Sequence, residues 1–315
     1  MVNNYLYSNI IGTFVFNEQF KPIKSIMFKN IEDYNSKSKY EKEISKSYKN
    51  IIKPNEKQLN KILEHFKDRS YHKDLRRQNI ELTRKAVKSS VNEDVLIVQA
   101  ISNIEDINKA ANSLVKRLRD WYGLYNPELT HQIDKHEIFV DLILNKTKSQ
   151  LLEEIKVDET SSMGADLSEQ DLAPIMVLAK QINELYGLRQ QQETYLEIII
   201  KKLCPNMVAI TGTTIGAKLL ARAGSLKKLV EFPSSTIQLL GAEKALFRHL
   251  KTKAKSPKYG YLHEHPLISK NRRQLHGKIA RSLADKISIA VKVDYFKGEF
   301  IGDKLRKGLE KKFLK

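Results

Sequence analysis

Residues 94–125 read DVLIVQAISNIEDINKAANSLVKRLRDWYGLY. Taken at alternating steps of four and three, Ile97, Ile101, Ile104, Asn108, Ala111, Val115, Leu118, Tyr122 and Tyr125 form an a/d pattern over about four heptads. The pattern predicts one long helix with a coiled-coil seam. Asn108 falls on that seam, where a single polar side chain sets register at some cost in stability. Ala100, Ile107, Leu114 and Trp121 widen the apolar stripe and predict more than one neighbour. After Pro127, residues 128–144 read as a bounded element with Ile133, Ile138, Val140 and Leu142 as its apolar positions. Residues 156–171, KVDETSSMGADLSEQD, are polar, acidic and rich in small side chains, as an exposed tip would be. The period resumes through Leu172, Ile175, Ala179, Ile182, Tyr186, Leu196, Ile200 and Leu203, interrupted by Arg189 and Glu193, and stops before Pro205. Two such helices of roughly 30 residues would each reach about 45 Å. An antiparallel hairpin of this length either packs on itself or zips with a second copy.

Outward from the hairpin the texture changes on both sides. At the N-terminus, Tyr5, Tyr7, Ile11, Phe14 and Phe16 surround Gly12; the break at 17–22 precedes Ile23, Ile26 and Phe28. These predict a hairpin in a small sheet. Residues 34–55 are mostly Lys, Ser, Glu and Asn and predict exposed helix or loop, while Leu59, Ile62, Leu63 and Phe66 recur at helical spacing. On the other side, the small-residue run from 208 to 224 leads into a strongly basic segment. The expected fold is mixed and predominantly α: a small N-terminal α/β domain (1–93), a long antiparallel coiled-coil hairpin (94–204) and a C-terminal all-α domain (205–315).

The 315 residues carry a net charge of +18, from 55 Lys+Arg and 37 Asp+Glu. Residues 1–93 hold 19 basic and 11 acidic side chains, residues 94–200 hold 10 and 18, and residues 201–315 hold 26 and 8. The first two segments cancel, so the last third points to a polyanion-binding module. At 41% hydrophobic the chain has material for real cores, and no apolar run approaches the roughly 18 residues of a membrane span. The opening MVNNYLYSNI lacks the features of a signal peptide, which predicts a soluble, intracellular protein. Cys204 is the one cysteine, so an internal disulfide and a multi-cysteine zinc site are ruled out; beside Pro205 it reads as a buried small hydrophobe.

Two motifs invite chemistry and do not carry it. GTTIGAK at 212–218 has three residues between its glycines, with no Lys-Ser/Thr after the second, and no strand leads into it, unlike a phosphate loop. Its small residues suit close helix approach instead. His263-Glu264-His265 has no further ligands at metal spacing, and Pro266 makes it a turn. The positive signal lies between residues 225 and 286. GAEKALFRHL at 241–250 reads as a helix with Leu246 and Leu250 inward and Lys244, Arg248 and Lys251 on a second face. Lys253, Lys255 and Lys258 continue into a loop with Pro257, Tyr259, Gly260 and Tyr261. Ammonium groups at that spacing beside aromatic rings suit phosphates and unpaired bases. Residues 270–286 read as a helix whose core side is Leu275, Ile279, Leu283 and Ile287, with Arg272, Arg273, Lys278 and Arg281 outside. Only eight acidic residues accompany 26 basic ones in this last third, too few to neutralise them.

At these residues the chain resembles a known family. GSLKKLVEFPSSTIQLLGAEKALFRHLKTKAKSPKYGYLHEHPLI (224–268) followed by HGKIARSLADKISIAVKVDYF (276–296) is similar to the Nop domain. With the acidic coil and the N-terminal α/β module, the whole chain resembles the archaeal box C/D guide ribonucleoprotein scaffold, a relative of eukaryotic nucleolar and spliceosomal Nop proteins. The resemblance implies a non-catalytic scaffold of an archaeal cytoplasm. It would bind a box C/D guide RNA and the ribosomal-type kink-turn-binding protein, homodimerise through its coil, and hold fibrillarin with the N-terminal domain. Fibrillarin would carry S-adenosylmethionine for RNA ribose 2′-O-methylation, and this chain no cofactor or metal. The signature positions carried over are Gly241, Ala242, Glu243, Pro257 and Gly260. The RNA contacts carried over or read from the basic stripes are Lys244, Arg248, Lys251, Lys255, Lys258, Tyr259, Arg272, Arg273, Lys278 and Arg281. The sequence departs from the family where Lys253 stands in place of a common glycine and Ser256 in place of a common proline, and it ends at Lys315 without a Lys-rich tail. An RNA-modifying enzyme would need a glycine-rich loop after a strand. A coiled-coil structural protein with a non-specific nucleic-acid-binding end would show shallow sequence preference and no dependence on a protein-capped kink-turn.

Overall fold

The computed structural model describes residues 3–48 and 50–313. The chain divides into two compact units, residues 1–91 and 92–315.

The first unit is built on a four-stranded sheet. Strands β1 (Asn4–Asn9), β2 (Gly12–Phe16) and β3 (Pro22–Met27) form an antiparallel meander. Asn9 pairs with Gly12, so Ile10 and Ile11 make a two-residue turn, and the Asn9 side chain accepts from the N–H groups of Ile11 and Gly12. Helices α1 (Ile31–Asn35) and α2 (Lys37–Ser47) follow, and the short strand β4 (Ile51–Ile52) returns parallel to β1. The sheet order is β3-β2-β1-β4. Residues 34–55, expected as exposed helix or loop, thus also supply an edge strand; two residues are too short for a periodic signal. Helices α3 (Glu56–His65) and α4 (Arg69–Ser90) complete the unit. Asn55 and Gln58 form a reciprocal capping box at the start of α3, and Asp68 caps α4. Tyr5, Ile11, Phe14, Phe16, Ile62 and Phe66 form the core.

The second unit begins with the predicted hairpin. α5 (Glu93–Tyr122) and α9 (Glu169–Leu203) run antiparallel: Glu93 meets Lys202 at one end, and Asn108 meets Arg189 midway. Ile97, Ile101, Ile104, Ala111, Val115, Leu118 and Tyr122 are all buried, so the seam predicted from the heptads is filled within one chain by α9. Burial of each large aliphatic there contributes about 1.5–3 kcal/mol relative to exposure. Midway the packing turns polar. Arg189 donates to Asn108 (3.3 Å) and Glu137 (2.9 Å), and its Nε lies 3.6 Å from Glu193. The interruption read at Arg189 and Glu193 is therefore a cross-linked layer between two apolar cores. Across the tip lie α6 (Pro127–Gln132), α7 (His136–Asn145) and α8 (Lys148–Glu154). The single element expected over 128–144 is two helices, because Arg119 of α5 takes the carbonyls of Thr130 and Ile133 at their junction and lies 4.4 Å from the Phe139 ring centroid.

Helices α10 (Pro205–Thr211), α11 (Thr213–Ala223), α12 (Leu226–Glu231), α13 (Ser234–Leu239), α14 (Glu243–Thr252), α15 (Pro266–Ser269), α16 (His276–Tyr295) and α17 (Gly302–Phe313) make up the remainder. The separate domain expected from residue 205 is continuous with the hairpin base: Ile97, Ile101, Ile104 and Ile200 share one core with Met207, Leu219 and Ile279. The physical reason is the small-residue run. Gly216 lies so close to Met207 and Ile200 that α11 nests against α9 and α10. A buried knot fixes the α9–α10 turn, where Asp294 accepts from the N–H groups of Asn206 (3.0 Å) and Met207 (2.9 Å) and from the Asn206 side chain (2.8 Å). Burial raises the Asp294 carboxyl above its ordinary range against these hydrogen bonds. Cys204 is fully buried beside it, and burial pushes its thiol well up.

Candidate nucleic-acid interface

Two glycines organise the basic surface. Leu240 and Gly241 turn the chain from α13 into α14, with Gly241 at φ 90°. A Cβ on Gly241 would meet the Tyr261 ring at 2.8 Å, and one on Gly260 would lie 1.9 Å from the Leu240 carbonyl oxygen. Only backbone without a side chain permits that approach. The two segments are then laced together: Gly260 N–H donates to Gln238 O (3.0 Å), Tyr261 N–H to Leu240 O (2.8 Å), and the Gln238 side chain to Lys258 O (2.6 Å). The signature positions 241–243 and 257–260, far apart in sequence, thus form one structural joint.

Glu243 belongs to that joint. It accepts from Gly241 N–H (3.0 Å) and from Arg222 Nε (2.6 Å), which ties α14 to α11. Partial burial works to raise its carboxyl, but the guanidinium and the two backbone N–H groups hold it below the usual range. Lys218 and Glu264 make a second tie, at 2.8 Å, from α11 to the 3-10 turn over Tyr261–Glu264. His265 is buried; its Nε2 faces Ile210 O (2.9 Å) and its Nδ1 accepts from Leu267 N–H (3.1 Å). Burial lowers its pKa, consistent with a neutral structural bracket. Arg222 and Gln238 carry no signal in the sequence, since neither stands out by type or spacing; Tyr261, read there as a loop aromatic, instead packs against Gly241.

The loop packs on the first turn of α16. Tyr259 OH lies 3.2 Å from His276 Nδ1, its ring stacks on His263 at 6.4 Å between centroids, and the Lys258 stem passes over Gly277. Lys258 is thereby brought beside the turn that carries Lys278 and, three residues on, Arg281. Arg272 and Arg273 lead into the same turn. α16 begins at His276, not at 270 as expected, and Leu275 is 40% exposed, while Ile279, Leu283 and Ile287 form the predicted inner side. Lys244, Arg248 and Lys251 share one face of α14 at i, i+4 and i+7.

One reading of α14 is corrected. Leu250, expected inward, is 71% exposed, Phe247 is 59% exposed, and no residue of the helix is buried. The helix stands off the core because Gly241 and Lys253 turn the chain sharply at both its ends. Lys251 lies over the Phe247 ring at 4.6 Å. Lys253, at φ 54°, occupies the left-handed C-cap position, which glycine takes without strain.

The nine cations singled out, Lys244, Arg248, Lys251, Lys255, Lys258, Arg272, Arg273, Lys278 and Arg281, are all exposed. Among the described residues none of the nine forms an ion pair. Nearby lysines and arginines that are paired, Lys218 and Arg222, hold the scaffold instead. Among the described residues, no group of three or more His, Cys, Asp or Glu is arranged to hold a metal and no helix is long and apolar enough to cross a membrane.

The Nop family model, described as "snoRNA binding domain, fibrillarin", matches residues 103–315. An uncharacterized NOP5 family protein of Methanocaldococcus jannaschii is 41% identical over 257 residues, covering 77% of this chain and 62% of that protein. Nucleolar protein 58 of Candida albicans is 38% identical, covering 65% of this chain and 43% of its own length. Nucleolar protein 56 of Mus musculus is 37% identical, covering 73% and 43%. The chain thus spans about half the length of the curated relatives it matches. A solved fibrillarin/Nop5p complex matches over 98% of both chains at 25% identity and a TM-score of 0.45. With a family model matched over well more than half of its length, from the middle of α5 to the C-terminal helix, this chain belongs to the Nop family.

Proposed function

We propose that this chain is the non-catalytic scaffold of an archaeal box C/D guide ribonucleoprotein, working in the cytoplasm. The observation that carries this reading is the set of nine exposed, unpaired cations borne by the joint around Gly241 and Gly260 and by the start of α16. Unpaired guanidinium and ammonium groups release counterions when they meet phosphates, which supplies affinity without sequence preference. Selectivity would come from shape: a loop pinned by Tyr259 to His276 and by backbone bonds to Gln238 and Leu240 suits a folded RNA already capped by a kink-turn-binding protein. The description of the matching family model, which names both snoRNA binding and fibrillarin, supports fibrillarin as the partner that brings S-adenosylmethionine, so that methylation proceeds on the partner and this chain needs no cofactor. A homodimer through the hairpin is supported by α9, where Val177, Leu188 and Tyr195 lie exposed along one line opposite the buried Ile175, Ala179 and Ile182.

The test is a mobility shift with a box C/D RNA, with and without the kink-turn protein. The expected result is binding at least about tenfold tighter to the prepared RNA–protein pair than to the RNA alone. Lys244→Ala with Arg248→Ala should weaken it at least tenfold and reduce its salt slope by about 1.5 to 2. Unchanged binding at physiological salt would refute the assignment.

A further inference from the structure

The N-terminal unit carries a positive surface of its own, made of other residues than those described above. The cancellation of charge between residues 1–93 and 94–200 is an accident of summing along the chain, because the two segments belong to different compact units. Residues 1–91 taken alone hold 19 Lys+Arg and 10 Asp+Glu. Helix α4 concentrates the excess. Arg69, Lys73, Arg76, Arg77, Arg84 and Lys88 fall within about one third of the helix circumference at 3.6 residues per turn. Gln78, the one buried residue of α4, lies on the opposite side and donates to the Phe28 carbonyl at 3.3 Å. All six cations are exposed, and among the described residues only Arg77 has an ion pair, with Asp74. The remaining lysine of the C-terminal half, Lys85, turns off this face to Glu81 and Glu32. From Arg69 to Lys88 the stripe runs about 28 Å at 1.5 Å per residue.

The arrangement disfavours the isolated helix. Arg69/Lys73, Lys73/Arg77 and Arg84/Lys88 are like-charge neighbours at i, i+4, each costing about 0.2–0.5 kcal/mol. Such a face is relieved by a polyanion laid along it. Four of the six are arginines, whose planar fork takes phosphate oxygens two at a time. The cations lie along one arc of α4 with the exposed Ile80 and Val87 among them, and an RNA duplex, recognised chiefly through its phosphates and shape, matches the charge of this face.

We propose that the exposed face of α4 is a second RNA-binding surface, fitted to the sugar-phosphate backbone of an A-form duplex. The proposal rests on the reading of the chain as an RNA scaffold, yet its test separates the two. The full-length chain and an R69Q/R76Q/R84Q/K88Q variant are compared for binding a blunt RNA duplex of about 20 base pairs with no kink-turn, across a salt series. Glutamine matches arginine and lysine in helix propensity, so helix content measured by circular dichroism should be unchanged. The variant is expected to bind the duplex at least tenfold more weakly, with a salt slope reduced by about 3, while keeping its affinity for the RNA–kink-turn-protein complex. Duplex affinity and slope unchanged in the variant would overturn the proposal. So would a variant that keeps duplex binding and loses fibrillarin, since that assigns the face to protein. A chain that ignores the kink-turn complex but shows α4-dependent duplex binding would refute the reading of the preceding section and uphold this one.

Discussion

Lys253 shows how a single residue can be misplaced by chemistry and still be tolerated. It holds φ 54° at the end of α14, donating its N–H to His249 O at 2.9 Å. A side chain in the left-handed region costs about 1 kcal/mol, which glycine avoids. Lys253→Gly should therefore raise stability by about 0.5 kcal/mol after allowing for the greater freedom of glycine in the unfolded chain. Slower hydrogen exchange in the last turn of α14 would show it; faster exchange there would mean the lysine makes a compensating contact. The residue-level contrast is with Gly241 and Gly260. Both stood out in the sequence as signature positions, but the need for glycine at each comes from a neighbour, the Tyr261 ring and the Leu240 carbonyl, that no local reading contains. Glu243, also a signature position in the sequence, likewise owes its place to a distant residue, since it anchors Arg222.

At the scale of elements, the hairpin was the most legible part. Its heptads extend over some 30 residues, and a period sustained that long survives local noise. What the period did not say is who fills the seam. In the structure α9 of the same chain does, and Val177, Leu188 and Tyr195 stay exposed along the outward line of α9 that is proposed above to meet a second copy. Leu188→Glu combined with Tyr195→Glu should weaken the dimer at least tenfold, the equivalent of about 1.4 kcal/mol, in sedimentation equilibrium. A monomer–dimer equilibrium untouched by the pair would place any self-association elsewhere. The short elements were read less well. The tip helices α6 and α7 merged into one because Arg119 holds their junction from a distance, and α14 looked like a core helix because amphipathic spacing does not reveal which side, if either, has a neighbour.

For the whole molecule, the division at 91/92 makes a testable separation of roles. A chain lacking residues 1–91 should still join the RNA–kink-turn-protein complex and should fail to recruit fibrillarin; co-purification of fibrillarin with the shortened chain would refute that assignment. Composition and periodicity alone determined the class of architecture, the acidic hairpin and the basic C-terminal third, because charge, heptad spacing and helix breakers are local properties written every few residues. Tertiary structure alone decided that the hairpin base and the C-terminal helices share one core, that Gly241 and Gly260 form a single joint, and that α4 presents its cations on one face of an independent unit. Those outcomes depend on contacts between residues tens of positions apart, and on which of two chemically similar cations finds an acid within reach.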